Sequence, residues 1–279
     1  MKINKSFLTL LVGTTLLIVF IASCNKDEKE AEQNEEITTV QDNATAEKIF
    51  NDVSDIADQA YDSFQVIKSI TYDGDITGNC AVFSLDTIGF PRTLTIDFGD
   101  TNCLCSDGRY RRGKILVSFT GHYREEGTVI THTFDNYFVN DNQVLGTKIV
   151  TNAGRNEIEH LYFTISVDGL IIKANGGGQI TWISNRIREW IIGEETQDRF
   201  DDVYLITGES HGTTASGKIY NIVITYPLRR EIGCNYFVSG TFEFTPEGKP
   251  TRTLDYGEGE CDNVATVTLN GKTYTIYLN

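Results

Sequence analysis

The chain has 279 residues and carries 39 Asp and Glu against 24 Lys and Arg, which gives a formal charge of −15. This excess of acid disfavours a nucleic-acid partner, because phosphate contacts are made by Lys and Arg. With 40% hydrophobic residues, the chain is long enough to bury a core. A disulfide-only miniprotein and a wholly disordered chain are therefore excluded.

The first 23 residues are typical of a lipoprotein signal peptide. Lys2 and Lys5 form a positive start, and residues 7–21 form a mostly apolar run that is too short for a comfortable membrane span. The run leads into Ile-Ala-Ser-Cys at residues 21–24, which resembles a bacterial lipobox. We therefore predict cleavage before Cys24 and a lipid on its thiol, which anchors the chain to a membrane. An ordinary secretory signal is the alternative.

An acidic, polar segment follows, and residues 24–43 are predicted to be a lipidated tether without hydrophobic periodicity. The cluster Lys-Asp-Glu-Lys-Glu at residues 26–30 resembles the surface-export signal of Bacteroidota lipoproteins. The resemblance implies attachment to the bacterial outer membrane and display on the cell surface. A solvated tether on the periplasmic face is the alternative.

One amphipathic α-helix is predicted over residues 44–68. Its apolar stripe consists of Ile49, Val53, Ile56, Ala60, Phe64 and Ile67. These residues recur at steps of three and four, so they share one face, which we expect to pack on a sheet. The aspartates at positions 52, 55, 58 and 62 lie off the stripe, and we expect them to face water.

From about Cys80 onward, apolar and polar residues alternate with period two, and turn-forming residues interrupt the alternation. The pattern predicts a single β-rich domain over residues 44–279 that includes the helix. Its all-β part is a long antiparallel meander of roughly 12 to 14 strands, arranged as a twisted sheet, a sandwich or an open barrel.

Two hairpins allow a prediction of register. Asp168-Gly169 and Asn270-Gly271 both supply the backbone conformations of two-residue hairpin turns. Pairing across each turn places apolar side chains on one face of the sheet. The expected pairs are Val167 with Leu170, Ile165 with Ile172, Val267 with Tyr274, and Ala265 with Ile276.

Five cysteines remain once Cys24 carries lipid, and paired cysteines are expected to form disulfides in an oxidising envelope compartment. Cys80 and Cys103 are centred on one predicted turn, and Cys234 and Cys261 on another. Each pair is therefore predicted to face across its own hairpin. Cys105 is the odd thiol, and a bridge from Cys80 to Cys105 instead of Cys103 stays open.

The two ends of the β region share a pattern. Asp-Phe-Gly at residues 97–99 and Asp-Tyr-Gly at residues 255–257 are each followed, after three more residues, by a cysteine. Together with residues 133–137 and Asn270-Gly271, this pattern resembles a group of uncharacterised Bacteroidota lipoproteins. The resemblance covers most of residues 80–279 and implies a lipid anchor and a β-rich exterior domain, with no activity and no catalytic residues.

No reactive constellation stands out. Residues 208–212 match the Gly-x-Ser-x-Gly nucleophile elbow around Ser210, but a strand follows them instead of the required helix. A hairpin end is therefore the preferred interpretation. The four histidines lack metal-binding spacing. We predict no catalytic residue, no metal and no cofactor, and therefore a protein that is not an enzyme.

Residues 179–192 hold both tryptophans of the chain, Trp182 and Trp190, together with Arg186 and Arg188. Trp and Arg are favoured in binding hot spots, so these four residues form a candidate binding surface, although core packing of one or both tryptophans is the preferred interpretation. The sequence thus favours a non-enzymatic binding or structural lipoprotein, with an envelope protein or a glycan as its partner. A carrier of lipids or hydrophobic ligands in a β-lined cavity is the alternative, and a hydrolase is disfavoured.

Overall fold

The computed structural model describes residues 24–65, 76–86, 88–196 and 198–278. The predicted signal peptide and residues 66–68 of the predicted helix lie outside these ranges. The chain divides into two compact units, Met1–Val40 and Gln41–Asn279, and the second unit contains the sheet.

One helix, α1, occupies Cys24–Gln65. It begins well before position 44, so the segment predicted as a tether without periodicity is helical. Residues 26–36 are mainly Glu, Lys, Gln and Ala, which are strong helix formers even where no apolar stripe exists. Among the described residues, no helix is both long and apolar enough to cross a bilayer.

Fourteen antiparallel strands follow α1. Their bounds are β1 (Val82–Leu85), β2 (Arg92–Asp97), β3 (Cys103–Leu104), β4 (Tyr110–Phe119), β5 (Val129–Val139), β6 (Asn142–Arg155), β7 (Leu161–Ile172), β8 (Gln179–Ile192), β9 (Val203–Thr213), β10 (Ile219–Glu231), β11 (Ser239–Pro246), β12 (Arg252–Glu258), β13 (Val264–Leu269) and β14 (Lys272–Tyr277).

All strands belong to one sheet, in which the strand order follows the chain order. Strand β3 lies off this path. Strand β2 pairs directly with β4, and the short β3 also pairs with β4. The predicted antiparallel meander with a preceding helix is thus confirmed. The single sheet is open, with β1 and β14 as its two ends.

The two predicted hairpin registers had opposite outcomes. Pairing across Asn270-Gly271 is as predicted, with Val267 opposite Tyr274 and Ala265 opposite Ile276. The hairpin at Asp168-Gly169 is wrong, because β7 runs straight through both residues. Gly169 serves packing instead: a Cβ there would lie 2.3 Å from Cζ of Phe50, whose ring approaches the strand from α1.

The predicted apolar stripe packs on the sheet over most of its length. Val53, Ile56 and Ala60 are fully buried, whereas Phe64, at the end of the stripe, is exposed. Next to the stripe, the ring of Phe50 stacks on Trp182 with ring centroids 5.7 Å apart. Burial of this kind contributes about 25 cal/mol per Å² of apolar surface, so these contacts stabilise the docked helix.

Two of the helix aspartates predicted to face water pair with the sheet instead. Asp52 forms an ion pair with Arg109 just before β4, and Asp55 with Arg230 of β10. In a flat sheet, β4 and β10 would lie about 29 Å apart, whereas a helix is about 10 Å wide. The sheet therefore bends around α1, which brings basic residues to sides of the helix that the apolar stripe does not cover.

Both predicted disulfides are confirmed, Cys80–Cys103 and Cys234–Cys261, with Cα atoms 5.6 and 5.5 Å apart. Cys105 is the buried free thiol, which settles the partner of Cys80.

The Asp-aromatic-Gly pattern that occurs near both ends of the β region forms the same local structure at each. The Asp97 carboxylate accepts from the backbone N–H of Gly99, and Asp255 accepts from Gly257 in the same way.

Candidate functional site

Strand β8 places the predicted binding residues on one face of the sheet. We call Trp182, Ser184, Arg186, Arg188 and Trp190 the β8 row. They alternate with more exposed residues, because side chains two positions apart in a strand point the same way. All five are buried, with Arg186 6% and Arg188 8% exposed. The row is therefore an internal wall that faces α1 and not an open surface.

A cavity of about 560 Å³ lies between the β8 row and α1. The helix lines it with Glu47, Phe50 and Ser54, and other strands add Lys148 from β6 and Arg230 from β10. Small-molecule sites in proteins usually enclose about 300 to 1,000 Å³. The cavity is thus large enough for a small organic ligand.

The cavity reaches the surface between two loops. Exposed His122 and Arg124 line it from the β4–β5 loop, and exposed Thr196 and Asp198 line it from the β8–β9 loop. Nη1 of Arg124 donates to the backbone oxygen of Glu194 at 2.8 Å, which links the two loops. This end is the side from which solvent and a ligand can enter.

Arg186 is held by two groups but keeps unused donors. Its Nη2 donates to Oγ of Ser210 at 3.1 Å and lies 3.6 Å from Oε1 of Glu47. Its Nε and Nη1 are buried without a hydrogen-bond partner within the described chain. A buried donor without an acceptor costs about 1 to 3 kcal/mol. The lack of acceptors at this guanidinium among the described residues is therefore a destabilising feature of the site.

Arg188 shows the same feature. Its Nη2 donates to the hydroxyl of Tyr123 at 2.7 Å, and its guanidinium lies 4.8 Å from the ring centre of Phe163 and 4.9 Å from that of Tyr204. Its Nε has no partner among the described residues, and neither has the hydroxyl of Ser184 or of Ser54. Five unpartnered polar atoms thus belong to residues that line one cavity.

Burial changes the charge state of two other groups in the cavity. Nζ of Lys148 donates to the backbone oxygen of Phe50 at 2.7 Å. Burial and, to a smaller extent, the positive charge of Arg188 lower the pKa of Lys148 to about 7. Burial also raises the pKa of Glu47, although Arg186 and Arg230 oppose this shift. Both shifts reduce the charge that the cavity holds at neutral pH.

The sequence around Ser210 does not form a nucleophile elbow. Residues 208–212 lie in β9, shortly before its hairpin to β10, which agrees with the preferred interpretation of this motif. Ser210 pairs with Ser184 of β8, and its hydroxyl accepts from Arg186. Within the part of the chain that the structure describes, no group of three His, Cys, Asp or Glu side chains could hold a metal ion.

Sequence reasoning found the β8 row but missed the rest of the cavity. Lys148, Arg230, Tyr123 and Ser54 come from four other parts of the chain. The alternation within β8 is visible in the sequence, whereas the pairing of distant strands around α1 is not.

Comparison of the chain with protein-family models, curated protein sequences and solved structures found no match.

Proposed function

We propose that this protein is a lipid-anchored envelope lipoprotein whose β domain is a non-enzymatic binding module for a small molecule. The observation that carries the proposal is the cavity beneath the β8 row, whose lining residues carry five buried polar atoms without partners in the described part of the chain. Buried polar groups are nearly always hydrogen-bonded in folded proteins, so such a cluster favours a site that a ligand completes.

A small ligand fits this site better than the envelope protein or glycan surface that the sequence suggests. A large partner cannot reach side chains that are less than one tenth exposed. A small molecule can reach them through the opening beside Arg124. A glycan fragment of suitable size stays within the proposal.

A carrier of hydrophobic ligands is the second candidate function, and the apolar part of the cavity favours it. Phe50, Phe119, Val167 and Ile206 are among the lining residues. The buried cations nearby would have to be covered by polar atoms, because burying a charge without partners is costly. A pure hydrocarbon is therefore a poor ligand, whereas a lipid with a polar head remains suitable.

The membrane is the other proposed partner, through a lipid on Cys24. The lipobox-like residues 21–24 and the acidic cluster at residues 26–30 support attachment to the outer membrane, with the domain displayed on the surface. Display on the periplasmic face is the alternative. The acidic composition of the chain argues against a nucleic-acid partner.

Filling the cavity tests the binding function. Ser184→Phe places a ring in the cavity, whereas Ser166→Phe places the same ring at an exposed site on the adjacent strand. The full chain is extracted from its membranes and analysed by native mass spectrometry and by thermal shift with a small-molecule panel. We expect a bound molecule in the wild type and in Ser166→Phe, and none in Ser184→Phe. A wild type that carries and binds nothing contradicts the proposal.

Replacing the predicted lipid site tests the anchor. Cys24→Ala is expected to abolish metabolic labelling with palmitate and to release the protein from the membrane fraction, while Cys105→Ala retains both properties. Protease treatment of intact cells then distinguishes the two sides of the membrane. Degradation of the domain supports surface display, and protection supports the periplasmic face.

A further inference from the structure

We infer that the cavity binds a small organic carboxylate, whose anionic group is held by Arg186 and Arg188. This inference rests on the proposed binding function and deepens it by naming the class of ligand. It is carried by the unused hydrogen-bonding capacity of the β8 row.

The unused atoms on the two arginines are all donors. Nε and Nη1 of Arg186 and Nε of Arg188 carry N–H groups and have no partner within the described ranges. Guanidinium nitrogens cannot accept a hydrogen bond, so a ligand that pairs with them must offer acceptor atoms. The hydroxyls of Ser184 and Ser54 can donate to the same ligand. The site is thus rich in donors.

The carboxylates that line the cavity leave these donors without a partner. Glu47 lies beside Arg186, with Oε1 3.6 Å from Nη2, but Nε and Nη1 are still unpartnered within the described residues. Asp55 forms an ion pair with Arg230. Asp202 accepts hydrogen bonds from Nε1 of Trp190 and from the hydroxyl of Tyr204, each at 3.1 Å. These acids therefore do not supply the acceptors that Arg186 and Arg188 lack. Water or a ligand can supply them, and an anionic ligand is the stronger acceptor for a guanidinium.

The charge of the lining is compatible with a ligand that carries one negative charge. The basic lining residues are Arg124, Lys148, Arg186, Arg188 and Arg230. The acidic lining residues are Glu47, Asp55, Asp58, Asp198 and Asp202. The two sets are equal in number, so the lining has no large formal surplus of either sign. A monoanionic carboxylate disturbs this balance less than a doubly charged phosphate does.

Aromatic rings at both ends of the β8 row indicate that the ligand has an organic body. Trp182 packs against Phe50 of α1 at one end, and Trp190 packs against Tyr204 of β9 at the other. All four residues line the cavity. An inorganic anion would leave these apolar walls unfilled, whereas an aromatic acid or a short fatty acid covers them.

Tryptophan fluorescence can measure binding directly, since both tryptophans of the chain line the cavity. The full chain in detergent is titrated with phenylacetate and octanoate, with their neutral analogues phenylacetamide and octan-1-ol, and with phenyl phosphate. We expect saturable changes with the carboxylates and affinities at least about tenfold weaker for the neutral analogues, as expected when a charge-assisted hydrogen bond is lost. Tighter binding of octanoate than of phenylacetate identifies a fatty acid as the source, and the reverse order identifies an aromatic acid.

Variants locate the anion. Arg186→Met and Arg188→Met are expected to weaken carboxylate binding about tenfold or more. Ser184→Ala is the milder variant if the methionine variants do not fold. Arg229→Met is the matched control, because Arg229 pairs with Glu231 and does not line the cavity. Unchanged affinity in Arg186→Met, Arg188→Met and Ser184→Ala overturns the inference.

The outcomes separate this inference from the proposed function. If neutral analogues bind as tightly as the carboxylates, the cavity is a binding site but the anion inference fails. Tighter binding of phenyl phosphate than of either carboxylate also overturns it, in favour of a phosphate ester. If no probe binds and native mass spectrometry finds no bound molecule, both proposals fail together.

Discussion

Two groups of buried arginines on the same sheet are built differently. Arg111 of β4 is fully buried, and its Nη1 and Nη2 donate to the two carboxylate oxygens of Asp107 at 2.7 and 2.6 Å. This paired geometry is the one in which Arg and a carboxylate match best. Among the described residues, Arg186 and Arg188 lack a carboxylate paired in this way: Glu47 lies 3.6 Å from one nitrogen of Arg186, and both arginines line a cavity. The Nε of Arg111 also has no partner within the described chain, so the two groups differ in how their terminal nitrogens are held.

Removing the carboxylate of the first group should have the largest effect. Asp107→Ala leaves Arg111 charged and buried without its acid. We expect the free energy of unfolding to fall by about 3 kcal/mol, the lower end for a buried pair, because the Asp107 side chain is 22% exposed. Urea denaturation monitored by circular dichroism measures the change. Asp168→Ala, at an exposed site on β7, is the control and should stay within about 0.5 kcal/mol of wild type. A loss below about 1 kcal/mol for Asp107→Ala would show that the two groups do not differ as described.

An effect of intermediate size on stability is expected at Lys148, which lines the cavity together with Arg186 and Arg188. Its pKa is about 7 in the folded protein and about 10.4 when unfolded. Between these values the unfolded chain binds a proton that the folded protein has released, so the free energy of unfolding rises with pH by about 1.4 kcal/mol per unit. Lys148→Met removes this contribution.

The difference in stability between wild type and Lys148→Met should therefore rise by roughly 2 kcal/mol from pH 7 to pH 9. The charged and titratable groups that act on Lys148 are Arg188, Arg230, Asp55, Asp58, Glu47 and His132. His132 has a pKa lowered by burial to about 3, so it does not titrate in this window. A difference that is independent of pH would contradict the assignment.

The smallest effect on stability is expected at Arg188. Arg188→Met removes a buried charge together with its unpartnered Nε, and the new side chain can still pack on the rings of Phe163 and Tyr204. We expect the free energy of unfolding to change by about 1 kcal/mol or less, because relief of the buried charge offsets the loss of the hydrogen bond to the Tyr123 hydroxyl. A loss as large as that of Asp107→Ala would instead make Arg188 a structural residue.

The fold was largely predictable because its pattern is local. The register at Asn270-Gly271 follows from a two-residue turn, and both disulfides follow from cysteines centred on turns. Asp168-Gly169 carries the same kind of signal but lies within a strand, because Gly169 makes room for a ring of α1. A sequence does not distinguish a glycine needed for a turn from one needed for close packing.

The candidate site was predictable only in part. Period-two alternation in β8 identified Trp182, Trp190, Arg186 and Arg188, but it could not say whether they face solvent or a helix. The ion pair between Asp55 and Arg230 was missed for the same reason. It joins residues 175 positions apart, and only the bending of the sheet around α1 brings them together.

The strand order has a consequence for how the protein folds. Nearly every strand pairs with its neighbour in sequence, so the sheet can form by closing short loops. Closing a short loop costs little entropy, and folds rich in such local contacts form fast. The helix instead meets partners far along the chain, as where Asn43 accepts from Nε1 of Trp182. We expect α1 to dock after the central strands have paired, so that the cavity forms late. Stopped-flow refolding can check this order: tryptophan fluorescence should reach its native value after the β signal in circular dichroism.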